Sequence, residues 1–173
     1  MDIEVKVPAR GKPAEYDQEI VKRRFRLTIS RVDLKNKLVL DFGCGNGAQT
    51  IEFTNSGCKI IAVDIDKGDL TILENYLRSR NINTIVPFQY DGSCLPIEST
   101  SIDVVLSYEV LEHVNEESFA LLDIYRVLKP GGDFILTVPN KGWIFETHGA
   151  YLPLLPWNCV PFFSYFPHLF IGD

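Results

Sequence analysis

Apolar positions along the chain fall into short, near-continuous runs separated by stretches with helical spacing. "KLVLDF", "KIIAVDID", "TIVPFQYD", "SIDVVLSYEV" and "DFILTVPN" read as five strands. Between them lie helical patterns: "AQTIEFTNSG", ending at Gly57, "GDLTILENYLRSRN", and "ESFALLDIYRVLKPGG", whose stop signal is Pro130-Gly131-Gly132. In the second of these Ile72, Leu73, Tyr76 and Leu77 fall on one side. A further helix is expected over 16–31, with Ile20, Phe25, Leu27 and Ile29 as its apolar points. Residues 1–15 are polar, carry Pro8 and Pro13, and read as a flexible arm.

Strands that alternate with helices imply an α/β architecture, a doubly wound, mostly parallel sheet with helices on both faces. The strand runs are apolar throughout, as in strands covered on both sides. The expected organisation is an arm over 1–15, one domain over 16–140, and an aromatic, proline-rich lid or truncated C-terminal part over 141–173. Ligands of such sheets bind beyond the carboxyl ends of the strands. That directs attention to residues 41–47, 64–66, 91–92, 107–113 and 139–148.

The first of these loops, Gly43-Cys44-Gly45-Asn46-Gly47-Ala48, fits the relaxed dinucleotide pattern G-x-G-x-x-A. Its strand, however, ends in Asp41. An acid opposes a diphosphate there: two unit charges about 4 Å apart repel by roughly 4 kcal/mol at an effective dielectric of 20. A ligand carrying positive charge suits the position better, and S-adenosylmethionine has an ammonium and a sulfonium. Asp64 ends the second strand, placed for ribose hydroxyls. Asp91 ends the third, placed for an adenine amino group, with the Gly92 N–H beside it. The alternative for each acid is a turn or helix cap.

These segments resemble the class I S-adenosylmethionine-dependent methyltransferases, in particular the small-molecule, glycan and quinone O-methyltransferase-like group. "VLDFGCGNG", "VDID", "DGSCLPIESTSIDVVLSYEVLEHV" and "RVLKPGGDFILTVPN" carry the resemblance, across roughly residues 36–140. It implies a Rossmann-like fold and S-adenosyl-L-methionine as cofactor, with S-adenosyl-L-homocysteine as product. It further implies that Asp41, Gly43, Cys44, Gly45 and Gly47 line the methionine side. Asp64 and Ile65 then hold the ribose and flank the adenine, Asp91 and Gly92 take the adenine, and Ser107 and Tyr108 lie near the reacting methyl. The family's sheet has seven strands, the last two an antiparallel hairpin. Five are visible before residue 140 and the hairpin is missing, so the fifth strand needs a cover: the tail, or a second copy in a homodimer.

Transfer to a hydroxyl needs a base near the ends of strands 4 and 5. His148 and His113 are the candidates. Glu109, Glu112 and His113, with His148, form the less favoured alternative of a divalent metal site, if 109–113 is a helical turn. The acceptor expected is small or lipid- or glycan-linked. Two other readings stand beside this one: a cofactor-binding module without a complete acceptor site, and an NAD(P)-linked oxidoreductase.

Charge narrows the partners. The 173 residues carry a net charge of −6, so nucleic acid is not favoured. Lys22, Arg23, Arg24 and Arg26 form a basic cluster, read as the solvated face of a helix. Four scattered cysteines, Cys44, Cys58, Cys94 and Cys159, indicate a reducing, cytoplasmic setting. The N-terminus is too charged for a signal peptide. From Gly149 to Gly172 there is no Asp, Glu, Lys or Arg, but Pro153, Pro156, Pro161 and Pro167 argue against a transmembrane helix. Peripheral membrane contact through this aromatic tail is the remaining membrane reading.

Overall fold

The computed structural model describes residues 14–138. The chain separates into two units, Met1–Thr137 and Val138–Asp173, and the first holds all the regular elements described. They run α1 (Glu19–Ile29), β1 (Leu38–Phe42), a 3-10 turn (Thr50–Phe53), β2 (Lys59–Asp64), α2 (Lys67–Ser79), β3 (Ile85–Gln89), β4 (Ile102–Tyr108), a second 3-10 turn (Leu111–His113), α3 (Glu117–Val127) and β5 (Leu128–Thr137).

The five strands form one sheet in the order β3-β2-β1-β4-β5, and every pairing is parallel. Chain order reverses between β1 and β4. That crevice receives the carboxyl ends of β1, β2 and β4 together.

Both faces of the central strand are buried. Val39 joins a layer with Phe53, Ile60, Leu73, Leu77 and Val104. Leu40 and Phe42 join the opposite layer with Val105, Ile124 and Val127. This two-sided burial is why β1 and β4 read as unbroken apolar runs rather than alternating ones.

Several local expectations are corrected. The segment after the glycine turn forms only the four-residue 3-10 turn Thr50–Phe53, not a helix reaching Gly57. On α2 the buried residues are Leu70, Leu73 and Leu77, while Ile72 is exposed. Positions 70, 73 and 77 keep the i, i+3, i+7 spacing of one helix face. On α1, Val21 and Thr28 face inward and Ile20, Leu27 and Ile29 are exposed. Only Phe25 packs as expected, edge-on to Phe53 with ring centroids 5.2 Å apart. α3 ends at Val127, before Pro130-Gly131-Gly132, which lies inside β5. Leu128 pairs with Ile102, and the register then shifts so that Asp133 pairs with Val104. Residues 129–132 therefore bulge, and proline is tolerated there because the bulge frees it from the ladder. Asp103 braces the bulge with a 2.6 Å bond from Lys129 Nζ.

Candidate active site

The glycine turn is built from hydrogen bonds that stay within the protein. The N–H groups of Gly43 and Cys44 both donate to the Val63 carbonyl at 2.9 Å, and that of Gly47 to the Cys44 carbonyl at 3.0 Å. Gly45 N–H donates to Asp64 Oδ2 at 2.7 Å, and Ala48 N–H to Asn46 Oδ1 at 3.1 Å. In a phosphate cradle these amides point at the ligand. Here they are used inside, and no full helix follows to supply a dipole.

Two of the glycines are required by packing. A Cβ on Gly43 would lie 2.4 Å from Val110 Cγ1, and one on Gly47 2.3 Å from Leu73 Cδ1. Both residues also hold positive φ, +77° and +81°, a region that side chains disfavour. Their role in this turn is thus close approach to the β4 loop and to α2, beyond the ligand contact expected of them.

Asp41 is 2% exposed. Thr50 Oγ1 donates to its Oδ2 at 2.6 Å. Burial drives its pKa up to about 6; the Thr50 hydrogen bond pulls the other way, and the charge of Asp64 adds to the rise. Burial likewise pushes the Cys44 thiol well above its usual value, with Asp41 and Asp64 adding to it.

Asp64 is also buried. Besides Gly45 N–H it accepts Asp66 N–H at 2.9 Å on Oδ1. A carboxylate has about four acceptor sites, and these two bonds, one on each oxygen, fix its orientation. Asp66 caps α2 through Gly68 N–H and Asp69 N–H. Asp91 lies on the surface, its carboxylate held by the Ser93 N–H at 2.9 Å and by the Ser93 hydroxyl. Those bonds hold it below its usual carboxylate value. Ile65 lies against Gly92, 3.8 Å from where a Gly92 Cβ would sit. The ends of β2 and β3 are therefore adjoining.

At the end of β4, Ser107 is 1% exposed and its Oγ has no hydrogen-bond partner among the described residues. The Tyr108 hydroxyl lies 2.7 Å from Thr28 Oγ1 on α1. Burial pushes the Tyr108 phenol far above its usual value. Glu109 holds φ +57° and pairs with Arg24, whose guanidinium carbon lies 5.8 Å from the Tyr108 ring centre. Arg24, with 10% side-chain exposure, is thus not part of a solvated basic face. Lys22 pairs with Asp17 at 3.5 Å, and Arg26 with Glu19.

Residues 109–113 do not form one helical turn. Glu109 precedes the 3-10 turn Leu111–His113 and is directed to Arg24, so it is not gathered with Glu112 and His113. Among the described residues no group of three His, Cys, Asp or Glu is arranged to hold a metal ion. His113 is half-buried, and its backbone N–H bonds the Val110 carbonyl at 2.9 Å. His148 lies outside the described residues.

Reasoning from sequence missed Thr50, Thr28 and Tyr16 and placed Arg24 on a solvated face; all four brace the site through contacts the fold supplies. Tyr16 donates to the Asn46 carbonyl at 2.6 Å. None carries a motif, because each meets its partner only through the fold.

Comparison with known proteins identifies the family and the fold. A family model described as "Methyltransferase domain" matches residues 40–136. A protein named ubiquinone biosynthesis O-methyltransferase from Pseudomonas fluorescens (strain Pf0-1) is 30% identical over 132 residues, covering 73% of this chain and 56% of that protein. The chain spans about half the length of the curated relatives it matches. Among solved structures, an S-adenosylmethionine-dependent methyltransferase from Aquifex aeolicus superposes with TM-score 0.65 at 14% identity, covering 79% of each chain. A cyclase, SpnF, superposes with TM-score 0.66 at 23% identity, covering 75% of this chain and 48% of that one. At these identities the superpositions establish the fold alone. The nicotinamide-linked oxidoreductase alternative has no support in these matches and is set aside. With more than half its length matched by the family model, the chain belongs to the methyltransferase domain family.

Proposed function

We propose that this chain binds S-adenosyl-L-methionine and transfers its methyl group to an oxygen of a small or lipid- or glycan-linked acceptor. The observation that carries the reading is the buried Asp41 carboxylate, its pKa raised to about 6 at the end of a strand whose following amides are used inside the protein. A cationic ligand relieves such a group, and an anionic one opposes it. When bound, the cofactor supplies a methyl on a sulfonium.

In this reading Asp41 and the turn of Gly43, Cys44, Gly45 and Gly47 receive the methionine part. Asp64, already oriented by two backbone donors, accepts from the ribose. Ile65 flanks the adenine, Asp91 accepts from its amino group, and the Gly92 N–H meets a ring nitrogen. Ser107 and Tyr108 border the methyl side. His113 or His148 takes the acceptor proton, histidine being the side chain most often used as a general base. The O-methyltransferase name of the Pseudomonas relative favours oxygen as the acceptor atom.

A cytoplasmic setting fits the free thiols Cys44, Cys58 and Cys94. No helix among the described residues is long and apolar enough to cross a membrane. Among those residues no strand pairs with the outer edge of β5, and a second copy of the chain is the proposed cover. A monomeric mass in analytical ultracentrifugation would remove that part.

The central test is calorimetric titration with S-adenosylhomocysteine, with NADH as control. Saturable binding of the first and none of the second is expected. Turnover is then sought on phenol, sugar and quinol acceptors. Binding without turnover on any of them would mark a cofactor-binding module. No binding at millimolar S-adenosylhomocysteine would end the proposal.

A further inference from the structure

The segment preceding α1 is tied to the glycine turn in both directions. The Tyr16 hydroxyl donates to the Asn46 carbonyl at 2.6 Å. Asn46 Nδ2 donates back to the Ala14 carbonyl at 3.1 Å. The Tyr16 ring stacks on Tyr76 of α2, centroids 5.1 Å apart and planes 12° from parallel. On Tyr76 also rests the Arg80 guanidinium, 5.0 Å from the ring centre. Ala14, expected within the flexible arm over 1–15, and Tyr16, expected to begin the first helix, both hydrogen-bond to Asn46.

The location matters because of the residues on either side. Asn46 stands between Gly45 and Gly47, both at positive φ, +53° and +81°. A Gly-x-Gly stretch has more conformations open to it than a tripeptide with side chains at all three positions. Its neighbours set what each conformation does: Gly45 N–H orients Asp64, and Gly47 N–H closes the turn onto Cys44. Rotation of the peptide after Asn46 would turn the Gly47 N–H, which belongs to that peptide, away from the Cys44 carbonyl and open the turn. Tyr16 holds the carbonyl of that peptide, and the Asn46 side chain holds the arm.

We infer that Tyr16 is a positioning residue, which holds the glycine turn in the conformation that receives the amino-acid part of the cofactor. The inference rests on the cofactor reading above and deepens it. Tyr16 acts through the Asn46 carbonyl and the stack on Tyr76. Its influence is local to the turn and does not extend to the adenine side, where Asp91 and Gly92 lie on a separate loop.

That locality supplies the test. Affinities of wild type and Tyr16→Phe are measured for S-adenosylhomocysteine and for 5′-methylthioadenosine, which lacks the amino-acid part. The phenylalanine keeps the stack and removes only the hydroxyl. Its affinity for S-adenosylhomocysteine should fall roughly fivefold, the scale of one hydrogen bond. Affinity for 5′-methylthioadenosine should stay within about twofold, inside the spread expected for a site that has lost no contact. Tyr76→Leu, which removes the platform, should show the same selectivity. Equal loss for both ligands would make Tyr16 a general structural residue and overturn the inference. So would a Tyr16→Phe protein indistinguishable from wild type, with the cofactor reading intact. Wild type that binds neither ligand overturns both together.

Discussion

Asp41 illustrates what one residue costs the fold and what it offers a ligand. Its folded-state pKa, about 6, lies above its ordinary 3.8. The folded protein thus holds a proton that the unfolded chain releases between pH 4 and pH 6. The associated stability is fully present below about pH 4 and is lost as pH rises through 6. A rise of that size corresponds to about 3 kcal/mol at neutral pH. Asp41→Asn keeps an oxygen for Thr50 and removes the charge. It should be more stable than wild type at pH 8 and close to it at pH 4, by urea unfolding at both values. The same charge should attract the cofactor's ammonium. Wild-type affinity for S-adenosylhomocysteine should therefore weaken as pH falls below 6, and Asp41→Asn should bind at least about tenfold more weakly at pH 7.5, the scale of one charge-assisted contact. An unchanged affinity in that variant would separate Asp41 from the ligand.

Among elements, α3 does more than cover the sheet. Asp123, on its buried face, accepts from Leu95 N–H at 2.6 Å and from Arg126 Nε at 2.7 Å. Arg126 reaches on to the carbonyls of Leu95 at 2.8 Å and Ile97 at 2.7 Å. One helix turn thereby clamps the loop that leaves the end of β3, where Asp91 and Gly92 lie. Asp123→Ala leaves the buried Leu95 N–H without its acceptor and Arg126 with its carbonyl partners, a loss of roughly 2 kcal/mol. Amide exchange at Leu95 should accelerate in that variant more than at Val39, in the sheet centre. α1 performs the corresponding service at β4, through Arg24 to Glu109 and Thr28 to Tyr108. Its periodicity misled because Thr28 is a buried polar residue with a partner on another element, while Leu27 and Ile29 are exposed. A rule that counts apolar positions cannot register a threonine buried for its hydroxyl.

The whole domain is two apolar layers separated by one parallel sheet. Ile60 lies in one layer and Ile124 in the other, and the two share no partner cluster. Ile60→Val and Ile124→Val should each cost about 0.5–1.5 kcal/mol. The double variant should equal their sum to within about 0.5 kcal/mol. A larger departure, read from urea unfolding, would mean that the sheet transmits packing strain from one face to the other. The parallel arrangement also explains why so many braces are distant in sequence. Strands that run the same way gather all their carboxyl ends at one rim, and the side chains that steady the rim come from whichever element crosses it.

The order of elements, the parallel sheet and the acids at successive strand ends were legible in the chain itself. Each rests on a local cause: apolar runs covered on both faces, turn glycines, and a charge where a strand stops. The short 3-10 turn in place of a helix after Gly47 was not legible, nor was the inward use of the turn amides. Arg24 finding Glu109, Thr50 finding Asp41 and Tyr16 finding Asn46 belong to the same class. These depend on which groups the folded sheet brings within hydrogen-bond distance across 9, 30 and 85 positions of chain. Periodicity and propensity act over a few residues, so contacts of that span are decided by packing alone.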